Sequence, residues 1–273
     1  MKALRMFELN DKGFSLVEVM IALILSAIVT GAAFKAYVNQ HKSYMIQDDV
    51  TNIQQSTRAC LDQLSRQIRM AGYQLPNGLP SIVAANTNPD TITVTYHESG
   101  CDTYLNAAMT STTADFVCGS SVSCFGVGQW VYLWEADSAK GEWVNITNVQ
   151  AGARTLQHGG APTSRKYGAN SNIMSITQIK FYVDRSDTAH PKLMMSPMNG
   201  TPQIYADDIS NLQLTYKLKN GTVVDVPANY QDILEVLISI TGRSDTPDPD
   251  RPAGSQYRSR TYTTSVTLRN QSV

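Results

Sequence analysis

Residues 14–34, FSLVEVMIALILSAIVTGAAF, make an apolar run of 21 positions that carries one charge, Glu18. As an α-helix rising about 1.5 Å per residue, this run is roughly 31 Å long, close to the hydrocarbon thickness of a bilayer. It has no polar face, so it must lie in lipid or against other apolar helices. The acid is the difficulty. A carboxylate deep in lipid costs on the order of 3 kcal/mol and usually marks function.

Three readings compete. A cleaved secretory signal peptide would explain the small residues of TGAAFKA (30–36), but its apolar region spans roughly 7–15 residues and this one is longer. An ordinary single-pass anchor leaves Glu18 without a purpose. In the third reading the chain is cut after Gly13, which gives Phe14 a free α-amino group and makes Glu18 the fifth residue of the mature chain. On a helix the two groups lie one turn apart on nearly the same face. The carboxylate also complements the positive end of the helix dipole. In a packed array it can pair with a neighbouring subunit's amine and fix the axial register. The plain alternative places Glu18 at headgroup depth, solvated.

KGFSLVEVMIALILS (12–26) resembles the class III signal of type IV prepilins: a short charged leader ending in Gly, then Phe, a Glu at the fifth place, and an apolar stretch. The resemblance implies cleavage between Gly13 and Phe14 by prepilin peptidase, N-methylation of Phe14, and an assembly role for Glu18. The leader sets Lys2, Arg5 and Lys12 against Glu8 and Asp11, so it is weakly positive. Lys35 and Lys42 lie on the other flank, and the charge asymmetry supports a cytoplasmic N-terminus only modestly.

Between Ala32 and Ala71 there is neither Gly nor Pro. Ile46, Val50, Ile53, Thr57, Cys60, Leu64 and Ile68 recur at spacings of three and four, one stripe on a helix that faces a core. Gly72 then offers a C-terminal cap and Pro76 a stop. The pattern predicts a single helix from about Phe14 to Ala71, softened at Gly31 and roughly 87 Å long. From Asp90 the period changes to two. Strands are expected at 91–97, 129–136, 142–149, 173–185, 192–196, 211–226, 233–241 and 259–270, with a hairpin across DSAKG (137–141) and a type I′ turn at Asn220-Gly221. The fold class is α+β: a long N-terminal helix, transmembrane in its first half, packed on an antiparallel β-rich domain elaborated into two layers. The expected organisation is a leader at 1–13, the helix at 14–72 with its membrane segment at 14–34, and a head at 73–273.

A second resemblance covers parts of the head. LDQLSRQIRMAGY (61–73), ADDISNLQLTYKL (206–218) and ILEVLISITGRS with YRSRTYTTSVTLRN (233–270) resemble the helix end and C-terminal strands of PilW-family minor pilins. Residues 75–170 have no counterpart there and read as an insert.

Composition narrows the chemistry. A net charge of −1 points to no nucleic-acid partner. Cys60, Cys101, Cys118 and Cys124 contain no C-x-x-C pair, which argues against a zinc knuckle or a thioredoxin-like site. Outside the cytoplasm they read as disulfides with three possible connectivities. A bridge from Cys118 to Cys124 across GSSVS closes easily and leaves Cys60 to staple Cys101, worth roughly 2–4 kcal/mol. There is no G-x-S-x-G, P-loop or H-E-x-x-H, and His41, His97, His158 and His190 lie far apart, so no catalytic residue, metal set or cofactor is expected. Asp245, Asp248 and Asp250 of the loop 244–252 could gather calcium, but they lack the EF-hand order and fit a Pro-rich solvated loop better. Trp130, Tyr132 and Trp134 share one face of a strand whose hairpin partner carries Trp143. They read first as core and second as an exposed ladder for a carbohydrate or a partner protein.

The resemblances imply a non-enzymatic minor pilin of the PilW family. It would start in the inner membrane with a periplasmic domain, be processed, and join other minor pilins, the major pilin and possible tip adhesins to prime or cap an extracellular pilus. A minor pseudopilin of a type II secretion system shares the signal. A membrane-anchored, lectin-like binding module is the alternative of another class.

Overall fold

The computed structural model describes residues 13–98, 100–159, 162–248 and 250–270. The chain divides into two compact units, Met1–Val50 and Thr51–Val273, and helix α1 (Leu16–Met70) passes from one into the other. Its start is set by Ser15, whose Oγ accepts the Glu18 N–H at 3.2 Å. This satisfies one of the four N–H groups that a helix start leaves open. The helix therefore begins at Leu16 rather than Phe14, and it runs unbroken through Gly31. At the other end Gly72 takes a φ of +82°, and a Cβ there would press on the Asn270 carbonyl oxygen at 2.5 Å. That is the conformation for which a helix C-cap favours glycine. In the second unit Ile53, Thr57, Cys60, Leu61, Leu64 and Ile68 are buried, so the expected stripe holds from Ile53 onward with Leu61 added, whereas its first members, Ile46 and Val50, are only half-buried.

Among the described residues sixteen strands follow: β1 (Ile82–Ala85), β2 (Thr91–Tyr96), β3 (Asp102–Tyr104), β4 (Phe116–Val117), β5 (Trp130–Glu135), β6 (Lys140–Asn145), β7 (Asn148–Gln150), β8 (Thr155–Gln157), β9 (Asn172–Met174), β10 (Thr177–Asp184), β11 (Lys192–Pro197), β12 (Gln203–Ala206), β13 (Ile209–Leu218), β14 (Val223–Val224), β15 (Ile233–Arg243) and β16 (Ser259–Thr267). They form four antiparallel sheets, ordered β1-β2-β10-β11-β12, β14-β13-β15-β16, β3-β9-β5-β6 and β4-β8-β7. The architecture is α+β, one long helix with an antiparallel, sheet-rich remainder.

Among the described residues two large cores and a smaller cluster organise the second unit. The larger joins Leu64 and Ile68 of the helix with Ile92, Phe181 and Leu193 of the first sheet and Leu212, Val236 and Ile238 of the second. Each such side chain contributes about 1.5–3 kcal/mol on full burial. The other core is built between Leu105 and Ile173, from residues such as Phe116, Val131, Leu133, Ile146 and Leu156. Strands β1 and β2 lie within residues 75–170, yet they belong to the first sheet, and β2 pairs directly with β10. The separately packed segment thus spans β3 to β9. Loop-closure entropy grows only logarithmically with length, so two neighbouring strands tolerate a long folded excursion between them.

Three local expectations are corrected. The run 142–149 is two strands, β6 and β7, in different sheets: the Ile146 N–H donates to Gln129 O at 2.8 Å and the Thr147 N–H to Gln157 O at 2.8 Å where the chain crosses between them. The run 173–185 is two strands, β9 and β10, because the Ser175 N–H donates to Cys101 O (3.2 Å) and Asp102 Oδ1 (3.3 Å) where the chain leaves one sheet for another. The Asn220-Gly221 loop is not type I′. Three residues separate Leu218 from Thr222; Leu218 O accepts the Gly221 N–H at 2.9 Å, and Gly221 alone of the three takes a positive φ (+89°). Asn220 Oδ1 accepts the Thr222 N–H at 2.9 Å, an Asx turn that holds Asn220 out of the left-handed region. The result is a type I turn closed by a left-handed glycine.

Candidate functional site

The N-terminal part of the chain presents Phe14, Glu18, Val19, Ala22, Leu23 and Ser26 along one shallow groove, so Phe14 shares a face with Glu18 although it precedes the helix. Leu16, Val17, Met20, Ile21, Leu25, Ile28 and Val29 are exposed as well. The helix is long and apolar enough to cross a membrane, and none of that stretch is buried within the protein. Soluble monomers rarely expose an apolar patch larger than about 300–600 Å². The hydroxyls in this stretch are satisfied on the helix itself: Ser26 Oγ donates to Leu23 O at 2.9 Å and Thr30 Oγ1 to Ser26 O at 2.7 Å. Hydrocarbon offers no other partner. The Glu18 carboxylate is different, since among the described residues it has no ion-pair partner.

Residues 9–34 match the prokaryotic N-terminal methylation motif. No curated protein and no solved structure matches the chain. The matched stretch contains Gly13, Phe14 and Glu18 and extends to Phe34, the end of the apolar run. It is a prepilin signal of the type IV pilin and pseudopilin kind, and it implies processing by prepilin peptidase and assembly with other pilins. With the apolar helix it fits a membrane-anchored pilin. The spacing S-x-x-E at Ser15 and Glu18 is also a helix-start signature. Sequence reading assigned Glu18 to assembly and overlooked Ser15, whose cap orients the backbone beneath that acid.

The disulfide pairing differs from expectation. Cys101 bonds to Cys124 with a Cα–Cα distance of 5.6 Å, while Cys60 and Cys118 are free and buried. Cys118 extends β4 into the second core, where its Sγ donates to the Phe116 carbonyl at 3.4 Å. Cys60 lies in the larger core and Cys101 packs against the other. Burial pushes the Cys60 thiol up to about 12 and, as the largest influence, the Cys118 thiol up to about 11. Both are therefore poor nucleophiles.

The aromatic hairpin is interior. Tyr132 is buried with Leu79 and Ile176, and Trp134 and Trp143 pack against that cluster; the Tyr132 and Trp143 rings meet edge-on at 5.2 Å. Val131 and Leu133 fill the second core from the opposite face of β5. Only Trp130 at the strand's start is exposed beyond a third (38%), and the Asn199 amide brackets its backbone, accepting the N–H at 2.7 Å and donating to the carbonyl at 2.9 Å. No aromatic ladder remains for a sugar.

At the end of β5, Glu135 clamps the chain before β9. Its Oε1 accepts the Gly168 N–H at 2.7 Å, and its Oε2 accepts the Ser138 hydroxyl at 2.8 Å and pairs with Arg165. These hold the carboxyl below the usual range, with the Gly168 N–H the largest influence and the Ser138 hydroxyl next. A depressed folded-state pKa contributes stability above the unfolded value of about 4.3, and that contribution fades as pH falls through the folded value. The thermal midpoint of the wild type should therefore exceed that of Glu135→Gln at neutral pH. The gap should narrow once the pH drops below about 4.3; a gap that stays constant from neutral pH to pH 3 would refute the clamp.

The acidic loop does not collect its own carboxylates. Asp248 pairs with Arg258, whereas Asp245 turns to His190 with Oδ1 3.0 Å from Nδ1. Asp208 Oδ1 stands 3.6 Å from the same nitrogen, and the three candidate ligand atoms lie within 4.8 Å of one another. Burial, and then the nearby Asp245 charge, push the Asp208 carboxyl up. These residues come from the β10–β11 connection, the entry to β13 and the loop after β15, so no spacing in the sequence announces them. The other histidines stand apart from this group: His97 bonds Asp102 at 2.9 Å, His158 stacks on Phe116 and His41 on Tyr37.

Proposed function

We propose that this chain is a minor pilin of the PilW family, cut between Gly13 and Phe14 and methylated on Phe14, which helps prime or cap a type IV pilus with other minor pilins. The observation that carries the reading is a lone carboxylate, Glu18, on the same face as Phe14 within an exposed apolar helix. An unpartnered acid there is costly in lipid unless a neighbouring positive charge meets it, and a new α-amine on Phe14 would supply one. The motif match at 9–34 supports the same positions. Mass spectrometry of the mature protein is expected to find an N-terminus at methylated Phe14, and Gly13→Ala should leave the precursor uncut on a gel. A mature chain that starts elsewhere would overturn the reading.

A minor pseudopilin of a type II secretion system rests on the same signal. Loss of secretion with intact pili after deletion would select it. The lectin-like module is disfavoured by the burial of Tyr132 and the packing of Trp134 and Trp143.

A further inference from the structure

We propose that His190, Asp208 and Asp245 hold one divalent transition-metal ion, of the zinc or manganese class, which ties together three loops of the β-rich unit. The donor set is one imidazole nitrogen and two carboxylate oxygens. Such a mixed set suits a first-row transition ion, whereas calcium takes oxygens throughout. The two distances from the imidazole fit a shared ion. His190 Nδ1 lies 3.0 Å from Asp245 Oδ1 and 3.6 Å from Asp208 Oδ1. Two ligands each about 2.0–2.2 Å from a shared ion at near-tetrahedral or octahedral angles stand about 3.0–3.6 Å apart.

A separate observation points the same way. Asp208 Oδ1 is shielded from solvent, and the His190 Nδ1 that faces it stands at 3.6 Å, beyond hydrogen-bond reach. A buried acceptor without a partner is costly, and native structures leave few of them. The nearby cations are engaged elsewhere. Lys192 pairs with Asp207, and Arg243 donates to the Ala189 carbonyl while its guanidinium sits 3.6 Å over the Tyr257 ring. Two carboxylates therefore face one imidazole, and a dication would balance them.

The segments that carry the ligands are pre-positioned. Asp187 Oδ1 accepts the Ala189 N–H at 2.9 Å, which shapes the turn that presents His190. Asp208 O accepts the Arg243 N–H at 2.9 Å, and Ser244 donates its N–H to Arg258 O at 2.7 Å immediately before Asp245. The ion would join the β10–β11 connection of the first sheet to the entry of β13 and the exit of β15 in the second, with its remaining positions open to water.

The test uses the full mature chain in detergent, stripped with a chelator and then given Zn²⁺, Mn²⁺ or Ca²⁺ alone. Elemental analysis after dialysis should find about one zinc or manganese per chain, with a raised thermal midpoint. His190→Ala and Asp245→Asn should weaken binding by more than the roughly 10–100-fold that losing an outer-shell partner costs. Asp245 is 68% exposed, so its variant keeps the fold even if Asp208→Asn does not. His41→Ala, in the first unit, should bind normally. Sub-stoichiometric binding, equal binding by Asp245→Asn, or a preference for calcium would each overturn the proposal.

Discussion

Glu18→Ala is expected to yield a protein that is cut and held in the membrane but is largely missing from filaments. The substitution removes a carboxylate from an apolar helix, so insertion should become easier by up to about 3 kcal/mol. It keeps the Ser15 cap, because alanine retains the backbone N–H of residue 18, and at the helix start it removes only the acid's favourable contact with the dipole, about 0.3–1 kcal/mol. Loss of incorporation would therefore belong to the side chain and not to a frayed helix. If the acid pairs with a neighbour's amine in a low-dielectric array, a coupling near the low end for close charge pairs, about 1.5 kcal/mol, already corresponds to tenfold in assembly. Immunoblots of sheared filaments against the membrane fraction measure the ratio. Glu18→Asp keeps the charge on a shorter stem and should fall between. Wild-type incorporation of Glu18→Ala would remove the register role.

Gly242→Val should strongly destabilise the β-rich unit. Gly242 lies on β15 where that strand meets the helix: a Cβ there would collide with Thr57 Oγ1 and press on Ile53 Cγ2 at 3.2 Å. Both helix residues are buried, so neither can swing aside. Overpacking a closed core costs typically 1–3 kcal/mol, and this branched side chain belongs at the top of that range, about 3 kcal/mol. Urea unfolding of the chain in detergent reads it directly. Thr57 Oγ1 has no hydrogen-bond partner, so Thr57→Ala removes the obstructing atom without breaking a bond. Adding it to Gly242→Ala should recover stability through a coupling of about 0.5–3 kcal/mol. Gly126→Ala, where the nearest neighbour is the Gln129 amide oxygen at 3.9 Å, should be nearly neutral. Equal losses at Gly242 and Gly126 would show that the close approach is not tight.

The strands that alternation marked, such as 91–97, 192–196 and 233–241, appear with boundaries shifted by one or two residues. Periodicity reports them because each has one face turned to a core. The short strands β3, β4 and β8 escaped notice because two or three residues are too few to alternate, and β7 was merged with β6 in the run 142–149. The run 173–185 misled for a different reason: both halves are apolar and extended, and only the bonds at Ser175 divide them between sheets.

The apolar run, its single acid, the helix stripe and the Gly72 cap are local patterns within a turn or two of chain, and the amino-acid order alone determined them. The Cys101–Cys124 bridge, the interior placement of the tryptophan hairpin and the meeting of His190 with Asp208 and Asp245 needed the folded molecule. Each brings together residues far apart in sequence, and their proximity depends on which strands pair and which loops those pairings bring side by side.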